Sequence, residues 1–284
     1  MQVLSTVPRH RPPLERLSDA ATLILRTGEE EAQQLHLLAR VKWPSTRALL
    51  RRVGVYRGMH CLDVGCGGGD ITLQIARMVV PEGLVVGIDI DAGTLKRARI
   101  EAAHERRVRF EALDVADLQD EAAYDLVYSS FLLSQLPDPE GALERMVRAA
   151  RPSGTVVIED IDFPAHVCYP PSRAFDRYVE LYQAVIGIRG GDAAIGPRLA
   201  QLLHKAGVEG LHVEVTQPAF LDGDGKRVAQ INMEQMRPAV VGAGLASHAE
   251  VNTIIAELNE CARDWGTVMS LPRVFQVWGR TTPR

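Results

Sequence analysis

Residues 61–70 read CLDVGCGGGD, and the residue types limit what can rest there. An apolar stretch ends at Val64, a helix can begin near Asp70, and the turn between them is Gly65, Cys66, Gly67, Gly68 and Gly69. Glycine tolerates positive φ and lets a ligand approach bare backbone, while the free N–H groups of the next helix face the same place. Several ligand classes use such a turn, so the flanking residues decide. A dinucleotide turn in the G-x-G-x-x-G register needs a small residue at position 70, where Asp70 is too bulky for close packing and badly placed beside a pyrophosphate. No G-x-x-x-x-G-K-[ST] is present, which excludes a P-loop. Asp63 and Asp70 repel anions and suit a ligand with positive charge at this end; Asp70 serves equally well as a helix N-cap. Further on, GIDID ends a strand with Asp89, where a carboxylate can take both hydroxyls of a ribose. EALDV offers Asp114 to an exocyclic amine and the Val115 backbone to a ring nitrogen. Sugar, amine and cation together describe a nucleoside sulfonium.

The elements that must position these groups follow a regular rhythm. Between Met59 and Asp162, five short apolar runs alternate with helical patterns, as expected for a parallel sheet covered on both faces. After Phe163 the pattern becomes helical (PSRAFDRYVELYQAVIGI, IGPRLAQLLHKAG and two helices between Asp224 and Trp265), interrupted by a strand at LHVEVTQ. A final alternating run, RVFQVWGRT, predicts one more strand. Ahead of the sheet, residues 1–13 read as a loose arm. A T-x-x-E capping box from Thr27 to Glu30 opens a helix, and Pro44 starts a second one that closes near Gly54.

Composition narrows the function class. The 284 residues are 46% hydrophobic, enough for a sizeable core in one large domain or a core with a cap. With 32 Lys and Arg against 36 Asp and Glu, the net charge of -4 offers no basic face for nucleic acid. No apolar run is long enough to cross a bilayer, and Pro and charge stand where a signal peptide would be apolar, so a cytoplasmic location and no membrane partner are expected. Cys61, Cys66, Cys168 and Cys261 lack metal-ligand spacing, which predicts reduced, mostly buried thiols and no metal.

The ordered stretches LDVGCGGGD, VVGIDID, FEALDVADL, YDLVYSSFLLSQLPDP and RAARPSGTVVIED resemble the successive motifs of the class I S-adenosylmethionine-dependent methyltransferases, small-molecule type, over about residues 55–162. The resemblance implies a Rossmann-like, doubly wound α/β fold with a seven-stranded sheet, mostly parallel, whose last strand is reversed; RVFQVWGRT suits that strand. It implies S-adenosyl-L-methionine as cofactor, with Gly65, Gly67 and Gly69 along its methionine and ribose portion. Asp63 would meet the methionine amine, Asp89 the ribose, Ile90 the adenine face, and Asp114 with Val115 the adenine edge; Ser129, ending the fourth strand, joins this set. The expected organisation is an N-terminal helical arm or cap over residues 1–45 and a methyltransferase domain over 46–284, with helical lid insertions at about 164–195 and 218–270.

Methyl transfer from a sulfonium is an in-line displacement, and a base is needed only where the nucleophile must lose a proton. Candidates project from the ends of the fourth and fifth strands: Ser129, Ser130 and Gln135, then Glu159, Asp160 and Asp162, with His166 or His36 as substitutes. Alternation prevents Glu159 and Asp160 from both facing the pocket. Motifs of nucleic-acid base methylation are absent, which favours a small-molecule acceptor at oxygen, nitrogen or carbon. Its pocket is expected around Tyr178, Tyr182, Asn232 and Met236, with His36, Arg40 and Trp43 contributing from the N-terminal helix. A nicotinamide-dependent dehydrogenase and a non-catalytic S-adenosylmethionine-binding regulatory module are the alternatives, and PAVVGAGLA could form a homodimer contact.

Overall fold

The computed structural model describes residues 29–282; the predicted arm and the Thr27 capping box lie outside the described residues. In chain order the elements are α1 (Glu29–Val53), β1 (His60–Val64), α2 (Asp70–Val79), β2 (Leu84–Asp89), α3 (Ala92–Glu101), β3 (Val108–Ala112), β4 (Tyr124–Ser130), α4 (Pro139–Ala149) and β5 (Ala150–Asp162). There follow β6 (Cys168–Tyr169), α5 (Arg173–Ile188), α6 (Leu199–Lys205), β7 (Val208–Thr216), β8 (Ala219–Phe220), α7 (Asp224–Gly242), α8 (His248–Arg263), β9 (Val268–Ser270) and β10 (Arg273–Thr281).

Seven strands form one sheet in the order β3-β2-β1-β4-β5-β10-β7. The first five run parallel, and β10 lies antiparallel between β5 and β7. This is the Rossmann-like doubly wound sheet with a reversed last strand that the sequence predicts. Both faces are covered, which explains strands apolar throughout. On one face Leu62, Val127, Val156 and Ile158 pack with Leu143 and Met146 of α4 and Leu199 of α6. On the other, Cys61, Val85, Leu126 and Val157 pack with Ile75 and Val79 of α2 and Leu49 and Leu50 of α1. The chain reverses its direction of sheet growth between β1 and β4, and the crevice outside the carboxyl ends of those strands is where such sheets hold ligands.

Two expectations about local structure change. The N-terminal region is one helix rather than two: α1 passes through Pro44 and residue 45 without a break. Proline inside a helix removes a backbone bond and crowds the carbonyl four residues back, a cost of about 3 kcal/mol. Burial of Leu49 and Leu50 and side-chain bonds from Lys42 and Thr46 to the sheet offset it. The four thiols are free, but only Cys61 is fully buried.

Beyond β5, helices α5, α7 and α8 pack around their own core of Phe163, Phe175, Tyr178, Met233, Met236 and Leu258, with the small sheet β6-β9-β8 beside it. Val240 and Ala246 of the PAVVGAGLA stretch are buried in this core, so these side chains are spent within the chain.

Candidate active site

A cavity of about 310 Å³ lies at the carboxyl ends of β1, β2 and β4. Its floor is the glycine turn. Gly65 and Cys66 donate their N–H groups to the Ile88 carbonyl at 2.8 and 3.0 Å, tying the turn to β2. Asp89 accepts the Gly67 N–H at 2.9 Å on one oxygen and the Asp91 N–H at 2.9 Å on the other, so the predicted ribose acid also sets the shape of the turn. The three predicted glycines do different work. Gly67, at φ +52°, lines the cavity, and a Cβ there would project into open space. Gly65, at φ +73°, lines it too, closely backed by Leu132. Gly69, at φ +80°, lies outside the lining; a Cβ there would come within 2.5 Å of the Phe110 ring, so its smallness serves helix–strand packing.

Asp63 is buried at the cavity floor and accepts a hydrogen bond from the Thr72 hydroxyl at 2.6 Å. Burial pushes its carboxyl up to about 6, against the opposing pull of Thr72 and Lys42. Ile90 stands 66% exposed at the rim, an apolar surface ready to be covered. Asp70 opens α2 without capping it; its carboxylate instead meets His36 Nδ1 at 2.5 Å, and Nε2 of the same ring meets Glu101 at 3.1 Å. Burial lowers the His36 imidazole, but the two carboxylates outweigh it, and its pKa lies above the ordinary value.

Other expected cofactor residues lie elsewhere. Asp114 caps the 3-10 turn Val115–Asp117 through the Ala116 N–H at 2.8 Å, Val115 is buried in the core, and neither lines the cavity. Ser129 is turned into the sheet and donates to the Val64 carbonyl at 2.8 Å; strand alternation points it away from the cavity that Tyr128 and Ser130 face.

Ser130 and Gln135 of the β4 side are among the sequence candidates, whereas Leu38, Ala39 and Lys42 of α1 are not. Leu38, Ala39 and Lys42 line the cavity together with Tyr128, Ser130, Phe131, Leu132 and Gln135, and Lys42 touches Tyr128, Ser130 and Phe131 directly. Lys42, 7% exposed, donates to the Ser130 hydroxyl, lies 3.3 Å from a Glu159 oxygen and stands 4.3 Å from the centre of the Phe131 ring. Glu159 is fully buried and accepts from the Tyr128 hydroxyl, from Thr46 at 2.8 Å and from Gln276 at 2.6 Å. Burial would raise its carboxyl, but Lys42 and these three donors together hold it below the ordinary value. Burial and the Glu159 charge push the Tyr128 phenol well up. Phe131 adopts φ +57°, a left-handed conformation that costs a side-chain-bearing residue about 1–2 kcal/mol. The Phe131 N–H donates to the Glu159 carbonyl at 2.9 Å, and the Gln135 side-chain amide donates to the Phe131 carbonyl at 2.5 Å, which hold the strained turn in place.

Of the candidate bases, Glu159, Asp162 and His166 are each engaged by protein partners. Glu159 is saturated as described. Asp162 sits 3.4 Å from Arg273 on β10. His166 donates through Nδ1 to the Phe163 carbonyl at 2.9 Å and packs edge-on against Phe163, Phe175 and Tyr178; burial pushes its imidazole down to about 4, against that carbonyl's opposing pull. Asp160 points to the other face from Glu159, as alternation demands, and accepts the Ser134 and Ile161 N–H groups.

The expected acceptor residues belong to the cap's core. Tyr178 is fully buried with its hydroxyl satisfied by Asn232 at 3.1 Å, Tyr182 stacks on Phe163 at 3.5 Å between ring centres, and Met236 is buried. Large aromatic surfaces on one helix face find their partners in neighbouring helices, which removes them from the cavity. His36, Arg40 and Trp43 line a second cleft of about 340 Å³ between α1 and α2, which shares Ala39, Asp70 and Ile71 with the first. Among the described residues, no cluster of His, Cys, Asp and Glu is placed to hold a metal.

A glycine turn and strand-end acids at the switch point of this sheet stand where Rossmann-like proteins hold nucleotide and nucleoside ligands. Comparison with known proteins narrows the class. Residues 56–187 match the family model described as a methyltransferase domain. Over 130 residues the chain is 35% identical to the ubiquinone/menaquinone biosynthesis C-methyltransferase UbiE of Idiomarina loihiensis, covering 44% of this chain and 51% of that protein. Over 119 residues it is 32% identical to the demethylmenaquinone methyltransferase of Staphylococcus aureus, covering 42% of this chain and 49% of that protein. The chain thus spans about half the length of the curated relatives it matches. In fold it is similar to phosphoethanolamine N-methyltransferase 2 of Haemonchus contortus, with 20% identity, a TM-score of 0.54, and coverage of 85% of this chain and 53% of that one. Residues 56–187 thus match a methyltransferase domain, and the sheet that contains them has the class I methyltransferase fold.

Proposed function

We propose that this chain transfers a methyl group from S-adenosylmethionine to a small-molecule acceptor. The observation that carries the reading is Gly67: bare backbone at positive φ, open to the cavity and held there by Asp89. The donor set fits the cofactor. Asp63 suits its ammonium, the remaining lone pairs of Asp89 suit vicinal hydroxyls, and Ile90 at the rim suits an aromatic base. When bound, the cofactor supplies an electrophilic methyl on a sulfonium. The chain's own contribution is to hold and align: acids on the β1 and β2 side, an apolar and hydroxyl-bearing wall on the β4 side, and α1 closing over both to exclude water. Glu159, the acid behind the β4 wall, is saturated by its own partners, and the acids on the β1 and β2 side are those that suit the cofactor, so alignment of an acceptor that arrives ready to react is the chemistry this geometry supports. The relatives' names support a small-molecule acceptor, and the matched domain ends at residue 187, ahead of the α7 and α8 cap.

The test is calorimetric titration of the purified protein with S-adenosylmethionine, S-adenosylhomocysteine and NAD, with Asp89→Ala alongside. Binding of both methionine nucleosides, lost in the variant and absent for NAD, is the expected result. A preference for NAD would return the glycine turn to the dinucleotide class and overturn the proposal.

A further inference from the structure

The charges around the cavity are unevenly placed. Asp63, Asp70, Asp89 and Asp91 line the β1 and β2 side, and Lys42 is the one cation among the described residues that line it. A buried ammonium is costly, and as a purely structural device a buried ion pair is often no better than apolar side chains of the same shape. This one lies against a cavity. Glu159, its counter-charge, is drawn back into the protein and shared among Tyr128, Thr46 and Gln276, while Lys42 reaches the cavity wall. Ser130 accepts one Lys42 N–H, which turns the serine's own hydroxyl hydrogen away from the ammonium. The Phe131 ring flanks the same ammonium from a strained turn whose N–H is held by the Glu159 carbonyl. Buried charge, strained backbone and cavity coincide at one place, the combination that marks a functional site.

We propose that Lys42 and Ser130 form an oxyanion subsite at the β4 end of the cavity, taking a carboxylate or an ionised phenol or enol hydroxyl. Two sources present this chemistry. One is the amino-acid carboxylate of the bound nucleoside, which lies one carbon from the ammonium assigned to Asp63; Lys42 and Asp63 feel each other's charge, as the opposing pull on Asp63 shows. This source rests on the function proposed above. The other is an acceptor whose acidic hydroxyl binds as its anion. An ammonium and a hydroxyl donor favour the ionised form, so the nucleophile can be held competent here without a base on the β4 wall.

The experiment titrates wild type, Ser130→Ala and the double variant Lys42→Met/Glu159→Gln, which removes both charges together and leaves neither buried alone. Thermal melts establish that each variant is folded. The probes are S-adenosylhomocysteine, its decarboxylated aminopropyl analogue, which keeps the ammonium, and 4-nitrophenol, whose visible band reports ionisation. If the subsite takes the nucleoside carboxylate, the double variant weakens S-adenosylhomocysteine by at least about tenfold and leaves the decarboxylated analogue unchanged, because a hydrogen bond to a charged group is worth that factor or more. If it takes an acceptor anion, wild type binds 4-nitrophenolate with its ionisation midpoint lowered by about one pH unit, and the shift disappears in the double variant. Ser130→Ala gives a smaller loss in the same arm. Either pattern supports the subsite and names its source. Folded variants that bind all three probes as wild type does would overturn it. Failure of wild type to bind either nucleoside would defeat the proposed function, while the nitrophenol arm would still decide the subsite.

Discussion

Asp63 is a buried acid whose ionisation costs the fold stability, and Asp63→Asn exposes the cost. Its carboxyl lies near 6 in the folded protein against an ordinary 3.8. Between these values the folded state holds a proton that the unfolded state has released, so stability falls as pH rises from about 4 to about 6 and stays lowered above that. At about 1.4 kcal/mol per pH unit, the ionised carboxylate costs about 3 kcal/mol at pH 8. Asparagine keeps an oxygen for the Thr72 hydroxyl and carries no charge. The variant is therefore expected to be more stable than wild type by about 2–3 kcal/mol at pH 8, with the difference closing toward pH 4. Urea melts of both proteins at pH 4, 6 and 8 measure it. Calorimetry in parallel should show binding of S-adenosylhomocysteine weakened by about tenfold or more, since its ammonium loses a charged partner. A variant less stable than wild type at pH 8, or a difference that does not change with pH, would refute the reasoning.

Gly69→Ala combines positive φ with a Cβ 2.5 Å from the Phe110 ring and should cost about 2–4 kcal/mol, read as a lower Tm, whereas Gly67→Ala meets no neighbour and should cost about 1–2 kcal/mol while weakening nucleoside binding by calorimetry. His36 bridges Asp70 and Glu101 as a cation with a raised pKa, so its hold on α1 is complete below its ordinary 6.5 and lost as pH rises through the raised value. Amide exchange in α1, corrected for intrinsic rate, should therefore show less protection at pH 8 than at pH 6, and His36→Gln should remove the difference. An NMR titration should find the His166 imidazole neutral until about pH 4; a midpoint near 6.5 would contradict its burial among Phe163, Phe175 and Tyr178.

That the glycine turn and the strand-end acids line one cavity was legible because the signals are local. Asp63, Gly65, Gly67 and Asp89 sit at strand ends and in a turn, where a few adjacent residues specify the backbone. Gly69 and Asp70 show the limit: both lie in the same motif, yet their partners, Phe110 and His36, are distant in sequence and assign them packing and latching roles. Tyr178, Asn232 and Met236 were read as a pocket because helix spacing reports which residues share a face and not what covers it. Lys42 was missed for the same reason. Its clue was present: Leu38, Lys42, Thr46, Leu49 and Leu50 continue one stripe of α1, and two polar residues on a stripe that otherwise enters the core must meet buried partners. The partner, Glu159, lies on a strand more than a hundred residues away, and only the folded sheet brings it near.

The sharing of Glu159 by the two ends of the chain has a consequence for biosynthesis. Thr46 precedes it by 113 residues and Gln276 follows it by 117. The strand carrying Gln276 inserts between β5 and β7, which are both made earlier. During synthesis, then, β5 presents a long open edge and an incompletely neutralised carboxylate until the last nine-residue strand leaves the ribosome. A chain released short of residue 273 retains that edge, and its expected fate is aggregation or proteolysis rather than a smaller folded protein.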